Sequence, residues 1–177
     1  MSDFEFLSVL VSFVIGLGLS HLLSGLARAC NARALYQLDP VHIAWSITTL
    51  FALVLNWWVF LLWREFENWT FGTFFTIVVW TTSLYMLAVI LYPPNLLNQT
   101  DFKDLFQRNR TWFLISFAVM CLLDLLVTFQ REGRVPDAVY LAFVGHYAAI
   151  ALLGLAIRTR WYDLLAAWYI TVTMAMW

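Results

Sequence analysis

A single carboxylate stands alone in a long apolar run. Asp124 lies within residues 112–129, WFLISFAVMCLLDLLVTF, which carry no other charged side chain. A charge at the centre of a membrane helix costs at least ~2.5–3.5 kcal/mol on the mildest insertion scales. Asp124 therefore needs a partner that offsets this cost, and carboxylates placed in this way commonly mark proton or ion pathways.

Two polar residues on other segments share the depth of Asp124 if consecutive helices alternate in direction. Counted from one end of the bundle at about 1.5 Å per residue, Asp124 lies about five residues in, Asn56 about seven and His146 about eight. Cys121 is one turn deeper, whereas His21 lies roughly 15 Å below Asp124. We therefore predict His146, supported by Asn56, as the partner of Asp124. An Asp–His pair can transfer protons or bind a cation.

Two structural interpretations of this layer stay open beside the functional one. Asp124 can be protonated, or hydrogen-bonded to His146 or Asn56, and serve only to lock the helices together. Alternatively, Arg131 lies on the same helical face and can bend inward to meet the carboxylate.

Catalytic and metal-binding arrangements have less support. Cys121, His146 and Asp124 are the residue types of a thiol catalyst, but no nucleophile elbow or oxyanion loop accompanies them. The histidines His21, His42 and His146 lie on separate segments, without HxxH or HExxH spacing. We therefore predict no catalytic residue, no metal site and no cofactor.

The composition is that of an integral membrane protein. Hydrophobic residues make up 63% of the 177 residues and charged residues 12%, whereas a soluble domain is about half apolar and a quarter charged. The net charge of −1 provides no basic field that would attract nucleic acid. The elements that position Asp124 must therefore be membrane segments.

Six apolar segments can be marked in the sequence. They cover residues 6–27, 41–63, 70–92, 112–129, 138–157 and 161–177. Most reach the ~20 residues needed to cross the bilayer. We predict an all-α bundle of six transmembrane helices that forms a single membrane domain, residues 1–177.

The basic residues predict an orientation for this bundle. Seven arginine and lysine residues fall in the loops after segments one, three and five, against three in the other loops. The positive-inside rule places the first group in the cytoplasm. Both termini are therefore predicted to be extracytoplasmic.

The longest loop contains a candidate interfacial helix at residues 101–110. Pro93 and Pro94 end the third segment, and Phe102, Leu105 and Phe106 would share one helical face. This pattern predicts a helix on the cytoplasmic leaflet. Its basic side chains nearest the lipid phosphates would be Arg108 and Arg110. A plain solvated connector is the alternative.

The first segment carries a stripe of small residues. Ser12, Gly16, Ser20 and Ser24 recur every four residues. Small residues let helix backbones approach closely, which favours helix packing in lipid. We predict that the stripe contacts another helix of this chain or of a second subunit, and a pore-lining serine face is the alternative.

Several short motifs are spread over most of the chain. They are GLSHLLSGL at residues 18–26, Trp57-Trp58, Trp69-Thr70-Phe71, Leu84-Tyr85 with Pro93, and NRTWF at residues 109–113. With them the chain resembles an uncharacterised group of small bacterial polytopic membrane proteins. The resemblance implies a multi-pass location in a bacterial inner membrane, and it implies no activity, cofactor or site residue.

Together these patterns predict a small channel or transporter that moves protons or a small solute, with Asp124 and His146 at its centre. The alternative is a non-catalytic interaction protein: an accessory, sensor or anchoring subunit that acts through helix contacts. An integral membrane enzyme is the third class. The expected partners are the lipid bilayer and either a second copy of the chain or another membrane subunit, with no nucleic acid.

Overall fold

The computed structural model describes residues 3–31, 38–94 and 101–176, and this part of the chain is all-helical. The helices are α1 (Asp3–Asn31), α2 (Pro40–Phe60), α3 (Phe71–Leu91), α4 (Phe102–Glu132), α5 (Ala138–Ala156) and α6 (Arg160–Ala175). A short 3-10 helix, Leu61–Glu65, follows α2 directly.

Local sequence explains where several helices begin and end. The side chains of Asp39, Thr70 and Asp101 accept hydrogen bonds from backbone N–H groups in the first turns of α2, α3 and α4. Such caps satisfy donors that have no partner inside the helix. At its other end α4 stops at Gly133, whose φ of 65° is the left-handed conformation that glycine adopts without a Cβ penalty.

Five helices in the described part of the chain, α1 to α5, are long and apolar enough to cross a membrane. By length and composition, the chain is therefore a multi-pass membrane protein. The sixth helix has 16 residues and a length of about 24 Å, against ~30 Å of hydrocarbon.

Residues 102–110 differ from the predicted interfacial helix. They form the first turns of α4, a continuous helix of 31 residues, because no proline or glycine interrupts the chain before residue 112. Phe102, Leu105 and Phe106 are buried inside the bundle. The apolar face that sequence patterning assigned to lipid therefore packs against protein.

Contacts between side chains show that successive helices run in opposite directions. Asp124 meets Tyr140, while Arg110 meets the carbonyl of Gly154, so α4 and α5 are antiparallel. Contacts of α1 with α2, α3 with α4 and α5 with α6 follow the same rule. We call the end with the loops after α1, α3 and α5 the Arg110 end, and the opposite end the Arg131 end.

The helices α2 and α4 each contact several neighbouring helices. The fourth helix packs between α3 and α5, α1 lies against α3, and α2 lies against α6 while also contacting α1, α3 and α4. At the centre, the Trp45 ring on α2 contacts the rings of Phe113 and Phe117 on α4, with centroids 5.1 and 5.7 Å apart. This aromatic layer lies between the Arg110 end and Asp124.

The small-residue stripe of α1 mostly faces out of the bundle. Gly16, Ser20 and Ser24 are exposed, which leaves a second subunit as the predicted partner of these three residues. Ser12 is half-buried and accepts a hydrogen bond of 3.1 Å from the Trp57 indole on α2. Large apolar side chains such as Leu7 and Val11 form the face of α1 that packs inward. Contact of the stripe with a second subunit stays a prediction.

Candidate binding site around Asp124

The α4–α5 hairpin sets the position of Asp124. The turn at Gly133 and the short segment after it fold α5 back along α4, so that the first turn of α5 faces Asp124. The Tyr140 hydroxyl donates a hydrogen bond of 2.6 Å to Oδ2 of Asp124. In turn, the Thr128 hydroxyl, one turn along α4, donates to the Tyr140 hydroxyl at 3.2 Å. The carboxylate therefore ends a short chain of hydroxyl groups.

Asp124 also borders a small, partly open cavity of about 40 Å³. Residues from four helices line it: Leu55, Asn56, Val59, Met120, Cys121, Asp124, Tyr140, Phe143, Val144, Tyr147 and Met174. Because one water occupies ~30 Å³ in the liquid, the cavity is large enough for a water molecule or a small cation. Its polar groups are concentrated at Asp124, Asn56 and the tyrosines.

Asn56 and Cys121 lie where the depth comparison predicted. Both line the cavity with Asp124, and both are buried. The Asn56 amide donates to the carbonyl of Ala52, 2.7 Å away and one turn earlier on α2. The structure thus brings three of the predicted polar residues to one space.

His146 does not lie in this space, and its predicted role as the partner of Asp124 is corrected. The His146 Nδ1 atom lies 3.0 Å from the carbonyl oxygen of Ala142, and the ring packs on Tyr147 and Tyr169. Residues at the same depth can lie on different faces of a helix. His146 is six residues after Tyr140 on α5, so its side chain points about 240° around the helix axis from that of Tyr140. Within the described residues, Nε2 of His146 is buried without a hydrogen-bond partner.

Tyr140 is the residue that sequence reasoning missed. Tyr140 lies only two positions from the start of α5. Its backbone is therefore nearer the end of the bundle than the backbone of Asp124. Its long side chain carries the hydroxyl inward to the carboxylate. The alternative partner, Arg131, instead forms an ion pair of 3.1 Å with Glu132.

The Arg110 end holds two ion pairs, one of them fully buried. Arg110 was predicted to contact lipid phosphates, but its guanidinium is buried and binds both carboxylate oxygens of Asp163, at 2.8 and 2.7 Å. The prediction failed because α6 places an acidic side chain in its first turn, facing α4. Arg108 is exposed, and its lipid contact stays a prediction. Arg160 pairs with the buried Asp39, the capping residue of α2.

The other two histidines contact backbone carbonyls at the end of α3. The last carbonyls of a helix have no N–H partner within the helix and need other donors. Nε2 of His21 lies 2.6 Å from the carbonyl oxygen of Tyr92, and Nε2 of His42 lies 2.9 Å from that of Leu91. Both imidazoles thus serve helix termination, far from Asp124.

In comparisons with models of protein families, with curated proteins and with solved structures, the chain has no significant match.

Proposed function

We propose that the protein is a small membrane channel or transporter that moves protons or a small cationic solute, with Asp124 as the binding group. One observation carries the proposal. Three aspartates in the described residues are buried, and Asp39 and Asp163 each have an arginine partner. Asp124, 7% exposed, has instead the neutral hydroxyl of Tyr140 and a cavity.

This difference has an electrostatic consequence. Arg131 attracts the Asp124 carboxylate electrostatically but forms its ion pair with Glu132 and does not contact Asp124. A buried carboxylate that no cation contacts is disfavoured, because a cation at a distance repays only part of the desolvation cost. A proton or a cation that enters the cavity would supply the missing positive charge. Asn56 and Tyr147, which also line the cavity, add polar atoms that can orient such a guest.

A flux measurement tests the proposal. In proteoliposomes that enclose a pH-sensitive dye, the wild-type protein is expected to dissipate a pH gradient or to take up labelled methylammonium. Asp124→Asn should reduce the rate to that of protein-free liposomes, because the amide cannot exchange a proton or carry the charge.

The matched control is Asp104→Asn, since Asp104 is an exposed aspartate on the same helix. It should retain the wild-type rate, and both variants should keep the wild-type melting temperature. An Asp124→Asn protein that folds and transports at the wild-type rate would refute the role of Asp124.

A second candidate function is that of an interaction subunit. The outward face of Gly16, Ser20 and Ser24 favours it, because a flat small-residue surface suits contact with another membrane helix. The same flux experiment separates the two candidates. If the protein is an interaction subunit, the wild type carries no flux, and wild type and Asp124→Asn both show the rate of protein-free liposomes.

We also propose six spans, with both termini extracytoplasmic, in the inner membrane of a bacterium. The alternating helix directions and the basic loops at the Arg110 end support this topology, and the family resemblance supports the compartment. The native cysteines provide a test, since Cys30 is exposed near the Arg110 end and Cys121 is buried.

We expect a membrane-impermeant maleimide to label inverted inner-membrane vesicles, in which the cytoplasmic face is outward. Intact spheroplasts should stay unlabelled, and Cys30→Ser should abolish the labelling of the inverted vesicles. Labelling of Cys30 in spheroplasts alone would reverse the proposed orientation.

A further inference from the structure

An apolar groove runs between α2 and α6 on the outer surface of the bundle. Its volume is about 480 Å³, within the range of ~300–1,000 Å³ typical of small-molecule sites. It is lined by uncharged, mainly apolar side chains: Phe51, Val54, Leu55, Trp58, Val59, Leu62, Met174 and Ala175. Four of them, Phe51, Val54, Trp58 and Leu62, are exposed and would face lipid.

The groove adjoins the Asp124 cavity. Leu55, Val59 and Met174 line both spaces, so they form the wall between them. Two of these side chains, leucine and methionine, are long and can change rotamer, and methionine adapts readily to irregular spaces. A rotamer change of Leu55 or Met174 would therefore connect the lipid-facing groove with the cavity at the carboxylate.

The chemistry of the two spaces defines a ligand. The groove is mainly apolar, so an alkyl or aromatic body that binds there would be removed from water. The cavity places the carboxylate of Asp124 next to Asn56, and this carboxylate has no cationic side chain bonded to it within the described residues. A positively charged head is therefore complementary, and an anionic head is excluded by like-charge repulsion.

We propose that the groove and the Asp124 cavity together bind a lipophilic organic cation. Its apolar tail lies along α2 and α6, and its ammonium head contacts Asp124. This inference rests on the proposed function, because it identifies the class of cation that the Asp124 site takes.

The test measures binding of dodecylammonium to the full-length protein in nanodiscs of zwitterionic lipid, with empty nanodiscs as the background. Dodecanol and dodecanoate, which share the tail, are the matched probes. We expect saturable binding of dodecylammonium only. Asp124→Asn should weaken it by at least about ten-fold, the lower end of the effect of losing a buried charge partner.

A second pair of variants tests the groove itself. Val54 lies in the groove and is 49% exposed, while Val119 on α4 is 44% exposed and lines neither space. Val54→Trp should fill the groove and weaken dodecylammonium binding by about ten-fold, whereas Val119→Trp should leave it unchanged. Both substitutions add the same bulk to a lipid-facing position, so a general effect on folding would appear in both.

The outcomes separate this inference from the proposed function. If Asp124→Asn abolishes flux of protons or methylammonium while Val54→Trp binds dodecylammonium like the wild type, the groove proposal is overturned and the proposed function stands. If dodecanol binds as well as dodecylammonium, or Val119→Trp loses binding as Val54→Trp does, the groove proposal is overturned as well. If Asp124→Asn changes neither flux nor binding, both proposals fail together.

Discussion

Arg110→Ala is expected to lower the free energy of unfolding by about 3–5 kcal/mol, the usual cost of removing one partner of a buried ion pair. The substitution leaves the carboxylate of Asp163, which is 1% exposed, without its cation. It also removes the donor that holds the carbonyl oxygens of Gly154 and Ile157 at the end of α5, at 2.7 and 2.9 Å. One side chain thus joins α4, α5 and α6.

Thermal unfolding in detergent micelles measures this effect, and Arg108→Ala is the matched control. Arg108 lies two residues earlier on α4 and is exposed, so its loss should change stability by no more than about 0.5 kcal/mol. Arg110→Lys should fall between the two, because an ammonium cannot reproduce the bidentate geometry of a guanidinium. Equal melting temperatures for Arg110→Ala and Arg108→Ala would contradict the structural role given to Arg110.

The ion pair shows which part of the fold the sequence could not reveal. Arg108 and Arg110 lie in the same basic stretch, and the sequence pattern predicted that both contact lipid phosphates. The rotation of α4 about its axis, which the contacts of its aromatic residues with Trp45 on α2 hold in place, turns Arg110 inward and Arg108 outward. The partner of Arg110, Asp163, lies 53 residues further along the chain. Long-range pairing of this kind depends on tertiary contacts that periodicity does not encode.

The helices themselves were predictable because the physics of the bilayer acts on short stretches of sequence. The all-helical class follows from the need to satisfy every backbone group in lipid. The long α4 was less predictable, since hydropathy marks where a helix becomes apolar and not where it begins. The capping carboxylate of Asp101 sets that start, ten residues before the apolar run.

For the candidate site, the sequence predicted how deep each polar residue lies in the bundle but not which way its side chain points. Counting residues along alternating helices placed Asn56 and Cys121 near Asp124, and all three line one cavity. The same count selected His146 instead of Tyr140, because it ignores both the helical face and the length of a tyrosine side chain.

The glycines of α1 show the same limit and allow a sharper test. Gly18 and Gly25 are seven residues apart and face α2 and α3, where a Cβ on Gly18 would lie 3.0 Å from Leu53. A Cβ on Gly25 would overlap the Tyr92 ring near its attachment to the backbone. Gly16, by contrast, has no atom within 4 Å of such a Cβ. Spacing alone had selected the stripe that contains Gly16.

Gly25→Ala is therefore expected to destabilise the protein by about 1–3 kcal/mol, the usual cost of overpacking. The Tyr92 ring cannot easily move aside. Its hydroxyl is hydrogen-bonded to Ser46 at 3.1 Å, and its face meets the His42 ring with centroids 4.8 Å apart. A shift of Tyr92 would also disturb its carbonyl, which contacts His21.

Gly16→Ala is the matched control, because it makes the same substitution on the same helix without a clash. It should leave stability unchanged or raise it by up to about 1 kcal/mol, since alanine favours the helix over glycine. Unfolding of both variants in the same detergent gives the comparison, and circular dichroism confirms that each retains its helices. If Gly25→Ala melts at or above the temperature of Gly16→Ala, α1 does not pack on Tyr92 as described. If Gly25→Ala alone is destabilised, the inward face of α1 is the one that carries Gly18 and Gly25, and the stripe of Gly16, Ser20 and Ser24 is left free to contact another subunit.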